Sequence, residues 1–203
     1  DHADVITGDD GDDNIDAGQS NDTVSGGNGN DTINGSDGVD SLTGDVGNDS
    51  ILGGIGNDLI SGGADDDTLT GQSGNDTVSG DDGNDQVSGG AGNDSISGNL
   101  GNDFVNGEAG DDIVNGNEGD DTLFGGNGND VLRGDGTATL GGAAGNDRLN
   151  GQGGNDTLLG GGGSDSMDGG AGNDLVDSAD PFPEAAPVTI SVVGGSVAEG
   201  NAG

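Results

Sequence analysis

The sequence predicts an all-β parallel solenoid with two nine-residue units per turn and about nine to ten turns. Three observations predict it. An aspartate recurs every nine residues, an apolar residue follows two positions after each one, and glycines precede it at fixed distances. The bulk composition points the other way. Leu, Ile, Val and Phe together supply 38 of 203 residues, about 19%, which is below the fraction at which a chain normally buries a core. Trp, Tyr, Cys and Lys are missing, and 40 acidic residues face only Arg133 and Arg148, for a formal charge of −38. On charge and hydropathy alone this is a disordered polyanion, so the period carries the whole argument for a fold.

Stepping by nine from Asp4 gives Asp13, Asp22, Asp31, Asp40, Asp49, Asp58, Asp67, Asp76, Asp85, Asp94, Asp103, Asp112, Asp121 and Asp130. After an interruption of 17 residues the series continues through Asp147, Asp156, Asp165 and Asp174, so 19 aspartates are in register. Two positions after each stands an apolar residue, from Ile6, Ile15 and Val24 to Leu158, Met167 and Val176. With 26% apolar residues in the chain, agreement at every one of these positions by chance is on the order of 10^-11. Gly lies five residues before the aspartate in 17 of 18 complete units, Ala17 excepted, and two before it in 16 of 18, Ser20 and Asp65 excepted. The unit is therefore G-x-x-G-x-D-x-U-x with U apolar, seen without fault at residues 53–61 and 89–97. Glycines three apart let the backbone bend through positive φ and bring carbonyl oxygens close to a bound group. The three residues after the aspartate alternate inward and outward, as a short strand does. A six-residue loop and a three-residue strand are thus expected to alternate.

Two loops and two strands make one turn of 18 residues, which stacks Asp22, Asp40 and Asp58 in one column and Asp13, Asp31 and Asp49 in the other. At about 4.8 Å between parallel strands, the rod is roughly 45 Å long, with the U residues of two sheets facing across a thin dry seam. Carboxylates stacked at that spacing repel one another, and a divalent cation between successive loops removes the conflict. Only carboxylates and backbone carbonyls are available as ligands. These hard oxygen donors favour calcium over zinc or copper, and magnesium holds its water shell too firmly. Nine complete loops per column leave eight gaps, and about sixteen Ca2+ ions bring −38 to roughly −6.

Other function classes find no footing. Without cysteine there is neither a disulfide framework nor a zinc-thiolate site, and no apolar run reaches bilayer length. A phosphate backbone must be met by Lys and Arg, so nucleic acid is excluded as a partner. His2 is the sole histidine and lies at the start of the chain, which leaves a Ser-His-Asp arrangement without a base. The carboxylates spread along a whole rod with no unique pair, unlike a glycosidase. Strings resembling G-x-G-x-x-G follow from the repeat and open no helix. The chain is read as non-enzymatic.

The unit Gly26-Gly27-Asn28-Gly29-Asn30-Asp31-Thr32-Ile33-Asn34 carries G-G-x-G-x-D-x-U-x in full, and residues 4–177 resemble the RTX (hemolysin-type) calcium-binding repeats. Those repeats form the parallel β-roll of proteins exported by bacterial type I secretion. The resemblance implies that each of the 19 aspartates ligates calcium together with loop carbonyls. It also implies a chain unfolded at low cytosolic calcium and folded outside the cell, secreted or at the cell surface. Some departures bear on this. Ser20 and Asp65 replace a loop glycine and Val39 replaces the usual Asn or Asp before the aspartate, so these loops are expected to bind less well. Residues 134–146 hold eight extra residues, read as a bulging loop in one column. Some similar adhesins bind ice through a column of loop Thr. Here the third loop position runs Asp10, Gln19, Asn28, Asp37, Val46, Ile55, Ala64, with no such column.

Three segments are expected: a repeat array over 1–177, a Pro-rich linker over 178–187, and the truncated start of a following β domain over 188–203. Within the last, residues 188–193 read as a strand, and the tail resembles the opening of a Calx-β domain. The first residues, Asp1-His2-Ala3-Asp4, begin inside a unit with neither initiator Met nor signal peptide, as a fragment of a longer protein does. Two roles are weighed. One is a calcium-rigidified structural segment of a large secreted adhesin, matrix or surface-layer protein. The other is a folding and secretion module attached to a protease, lipase or epimerase. The long array and the apparent sandwich domain after it favour the first. Exposed terminal strands offer a route to self-association or to a cell-surface partner. On the outer faces, Ile113 and Val131 are expected as neighbours on one sheet, with Phe104 and Phe124 on adjacent strands of the other.

Overall fold

The computed structural model describes residues 2–135, 145–177 and 189–190. It is an all-β parallel solenoid of two ten-stranded sheets. Strands alternate between the sheets along the chain, so each pairs in parallel with the strand one turn away, as in Val24↔Leu42 and Ile33↔Ile51. This is the β-roll architecture that the nine-residue period predicts. Among the described residues no helix is long and apolar enough to cross a membrane.

Period two along each strand sends U inward and its neighbours outward. Accordingly the seam is one continuous cluster from Ile15 to Met167, every member 9% exposed or less. Only one side chain in nine is buried this way, so the apolar contribution per residue is small for a domain of this length.

The strands are longer than the expected three residues. Most run for six, as in Thr23–Asn28 and Thr32–Asp37. Pairing continues past the U triplet, skips the first loop glycine, and resumes: Ser25↔Thr43 is followed by Gly27↔Asp45. The skipped position marks a corner. The residue after it takes positive φ, whether Gly27 at 116° or Asp45 at 81°. The chain therefore turns within a strand that never stops pairing, and the true connection is only the three residues ending at the aspartate.

A second positive-φ position lies two residues before the aspartate. Glycines there range from 109° at Gly163 to 154° at Gly172, while Ser20 and Asp65 sit at 92° and 82°. The substitutions also reach the next turn. Gly38 stacks on the Ser20 carbonyl and Gly83 on the Asp65 carbonyl, and neither of these glycines adopts the left-handed conformation of the rest of the column. A side chain at positive φ costs about 1 kcal/mol or more. Ser20→Gly is therefore expected to stabilise the calcium-saturated chain by about 1 kcal/mol, read as a higher urea midpoint at unchanged slope.

The extra residues do not break the register. Leu123 pairs with Leu149 and Leu132 with Leu158 across the interruption. The insertion replaces the third loop position alone: Gly134 is the glycine packed against Asp147, and Gly145 occupies the position two before it. Asp135 closes the base, accepting hydrogen bonds from Gly145 N–H and Gly162 N–H. Residues 136–144 lie outside the described part of the structure, as does the linker over 178–187. Of the expected tail strand only Thr189–Ile190 is described. It pairs in parallel with Ser166–Asp168 as the last strand of the second sheet.

Candidate metal centre

Each aspartate of the series follows its loop at one edge of the seam, and the 16 from Asp22 to Asp165 are buried, between 1% and 6% exposed. Asp13 and Asp174 are partly buried and Asp4 is exposed, because the turns that would cover them end there. Burial of unpaired carboxylates on this scale demands compensation, and half of it is internal. The Oδ1 of each aspartate accepts the backbone N–H of the aspartate one turn earlier, from Asp4 N–H to Asp22 at 2.7 Å through Asp85 N–H to Asp103 at 2.8 Å and Asp156 N–H to Asp174 at 3.1 Å. The ladder crosses the insertion intact, with Asp121 N–H to Asp147 and Asp130 N–H to Asp156 both at 2.9 Å.

The second oxygen has no such partner. Oδ2 of the 16 aspartates from Asp13 to Asp156 is buried without a hydrogen bond. Fifteen of them point at the first loop glycine of their own unit, and Asp22 alone has Ala17 at that position. A Cβ built on Gly26 would lie 2.2 Å from Asp31 Oδ2 and 2.8 Å from the Gly44 carbonyl of the next turn, and one on Gly44 would lie 2.1 Å from Asp49 Oδ2 and 2.6 Å from the Gly62 carbonyl. Carboxylate and carbonyl oxygens thus converge where a side chain would otherwise stand. This is why glycine is needed there even though its φ is ordinary.

A second ladder runs in the opposite direction, built from the residue just before the aspartate. Asn48 N–H donates to Asn30 Oδ1 at 2.9 Å, Asn93 N–H to Asn75 at 2.8 Å and Asp120 N–H to Asn102 at 2.7 Å, each to the turn before. Consecutive backbone N–H groups are therefore capped from opposite neighbours. The sequence carries the signal, since Asn or Asp stands just before the aspartate in 16 of 19 units. Val39 cannot accept, which leaves Asn57 N–H without its rung. Val39→Asn restores an acceptor at a site already 53% exposed, and is expected to stabilise the chain by about 1 kcal/mol, read by the same urea midpoint.

Electrostatics agree with the geometry. Burial pushes the carboxyls of Asp49, Asp112, Asp121 and Asp156 up to about 6, those of Asp67 and Asp103 up to about 7, and that of Asp147 up to about 8. The backbone N–H bond from the previous turn opposes the shift and does not cancel it. Asp66, exposed and receiving two donors from Asn84, moves down instead.

Buried oxygens without donors, on a chain with two cationic side chains, fit a bound metal cation. Among the described residues no three His, Cys, Asp or Glu side chains gather around one point. A cage here must therefore combine carboxylate with main-chain carbonyl oxygen, which is hard-donor chemistry suited to calcium. Fold and site define a class: a parallel β-solenoid with oxygen-lined edges that accepts metal between its turns. The family model for the RTX calcium-binding nonapeptide repeat (4 copies) matches residues 1–33, 17–51, 25–60, 34–69, 52–87, 79–114, 106–137 and 141–176. These matches take in most of the chain, and the chain belongs to that family of calcium-binding repeats. No curated protein matches it.

Proposed function

We propose that this chain is a non-catalytic spacer that calcium folds outside the cell, as part of a large secreted or cell-surface bacterial protein of adhesive, matrix or surface-layer type. One observation carries the reading: 16 buried carboxylate oxygens in two rows, each without a donor. The 19 aspartates from Asp4 to Asp174 are the proposed ligands, with loop carbonyls completing each cage, and about sixteen ions fill the gaps. When bound, calcium supplies the positive charge that lets the rows stack. The chain's own residues do the rest: Oδ1 ties each turn to the one before, and U seals the seam.

Ordering is then set by the calcium concentration around the chain. In a calcium-poor cytosol the rows repel and the chain stays extended, a form suited to export. At the millimolar level typical of extracellular calcium modules it becomes a stiff rod. Circular dichroism and small-angle X-ray scattering during a calcium titration test this. Strand signal should appear cooperatively while the radius of gyration falls from about 50 Å, the value for a coil of this length, to below about 20 Å. A chelated sample already rich in strand and compact would refute the reading.

A further inference from the structure

The outer face of the second sheet changes character near its middle. The two outward positions of each strand hold mostly Thr, Ser, Asn or Gln, but here they hold Phe104 and Phe124, two of the three phenylalanines in the chain. Phe104 is 46% exposed. Its ring centroid lies 5.3 Å from that of Phe124 at a 44° tilt, so the pair forms one apolar step on a face where Leu52 is the other outward apolar residue. Phe104 also lines a shallow groove along the edge of the rod, flanked on its own wall by Gln86 and Thr122 and faced by Asn84 and Asn102. Gln86 and Thr122 stand in register with Phe104 on the two neighbouring strands, which makes the groove at least three turns long.

The polar wall is rigid. Asn84 Oδ1 accepts Asn102 N–H at 3.0 Å and Asn102 Oδ1 accepts Asp120 N–H at 2.7 Å, so both amides are fixed before any ligand arrives. Groups held this way lose little freedom on binding. A ring face on one side and, on the other, a polar group once per turn, Asp66, Asn84, Asn102 and Asp120, suit a polymer with a short repeat, each unit having a C–H face and a hydroxylated edge. Charge narrows the choice. Asp66, Asp67, Asp85, Asp103 and Asp120 also line the groove and no cationic group does, so it repels polyanions.

We propose that this groove binds a neutral polysaccharide, with one sugar ring against Phe104 and hydroxyls on Asn84, Asn102 and Gln86. The inference rests on the calcium-folded rod, because the groove exists only when three turns are stacked. The test is affinity electrophoresis of the whole chain in saturating calcium, through gels containing a mixed-linkage β-glucan, a galactomannan or an arabinoxylan. Circular dichroism of each sample is recorded alongside. Retardation by at least one polymer is expected, roughly tenfold weaker for Phe104→Ala and also weakened for Gln86→Ala. With the strand signal intact, the absence of retardation in all three gels overturns the proposal, as does retardation that Phe104→Ala leaves unchanged. A dimer in sedimentation equilibrium that Phe104→Ala dissociates also overturns it, since a second copy then covers the rings. Loss of the strand signal in calcium would instead sink the spacer reading, and this inference with it.

Discussion

Asp103→Asn is expected to bind at least one calcium ion fewer per chain and to fold only at several-fold higher calcium, and Asp103→Ala to be worse again. The two variants separate the jobs of one carboxylate. Oδ1 of Asp103 accepts Asp85 N–H at 2.8 Å, while Oδ2 is buried without a donor. Asparagine keeps an oxygen for Asp85 N–H and loses the charge. Alanine also leaves that N–H buried and unpaired, a further cost of about 1–3 kcal/mol. Because each turn touches only its neighbours, the damage falls at the middle of the array and divides it into two shorter stacks. Equilibrium dialysis with calcium gives the ion count and circular dichroism gives the midpoint. An Asn variant with the ion count and midpoint of the parent would mean that the inner row does not hold metal. An Ala variant no worse than Asn would mean that the aspartate ladder contributes nothing.

Much of this arrangement is legible in the sequence because a solenoid turns spatial neighbours into a fixed offset. Residues 18 apart stack, so the columns of Asp and of U can be read by counting, and so can the pairing of Ile113 with Val131. What counting misses is which atom does what. Nothing in the spelling of Asp31 says that Oδ1 serves the backbone and Oδ2 is left over. That division depends on the direction in which the chain enters the next turn. The six-residue strands escape counting for a related reason: a positive φ inside a strand, as at Asp45 or Gln72, reads locally as loop chemistry. Gly142 lies five residues before Asp147 and fits the spacing, yet Gly134 takes the role, because an insertion shifts sequence distance without shifting spatial order.

In a chelator, acidification should fold the chain that neutral pH leaves as a coil. In the fold, burial raises the inner carboxyls, to about 6 for Asp49, Asp112, Asp121 and Asp156, about 7 for Asp67 and Asp103, and about 8 for Asp147. In the coil each titrates near the ordinary value of about 3.9. Between about pH 4 and pH 8 the folded form therefore binds more protons, so its stability falls as pH rises. The benefit is full below about pH 4 and is gone once pH passes the folded values. Calcium reverses the preference, because it binds the carboxylate and competes with the proton. In saturating calcium the strand signal should persist at pH 7.5, and ions should be released only as acidification lets protons displace them, at lower pH than the metal-free carboxyls titrate. A pH scan by circular dichroism in chelator, paired with a calcium-electrode titration, checks both halves. A metal-free chain that remains a coil at pH 4 would show that discharging the rows is insufficient, and that calcium must contribute bonds as well as charge.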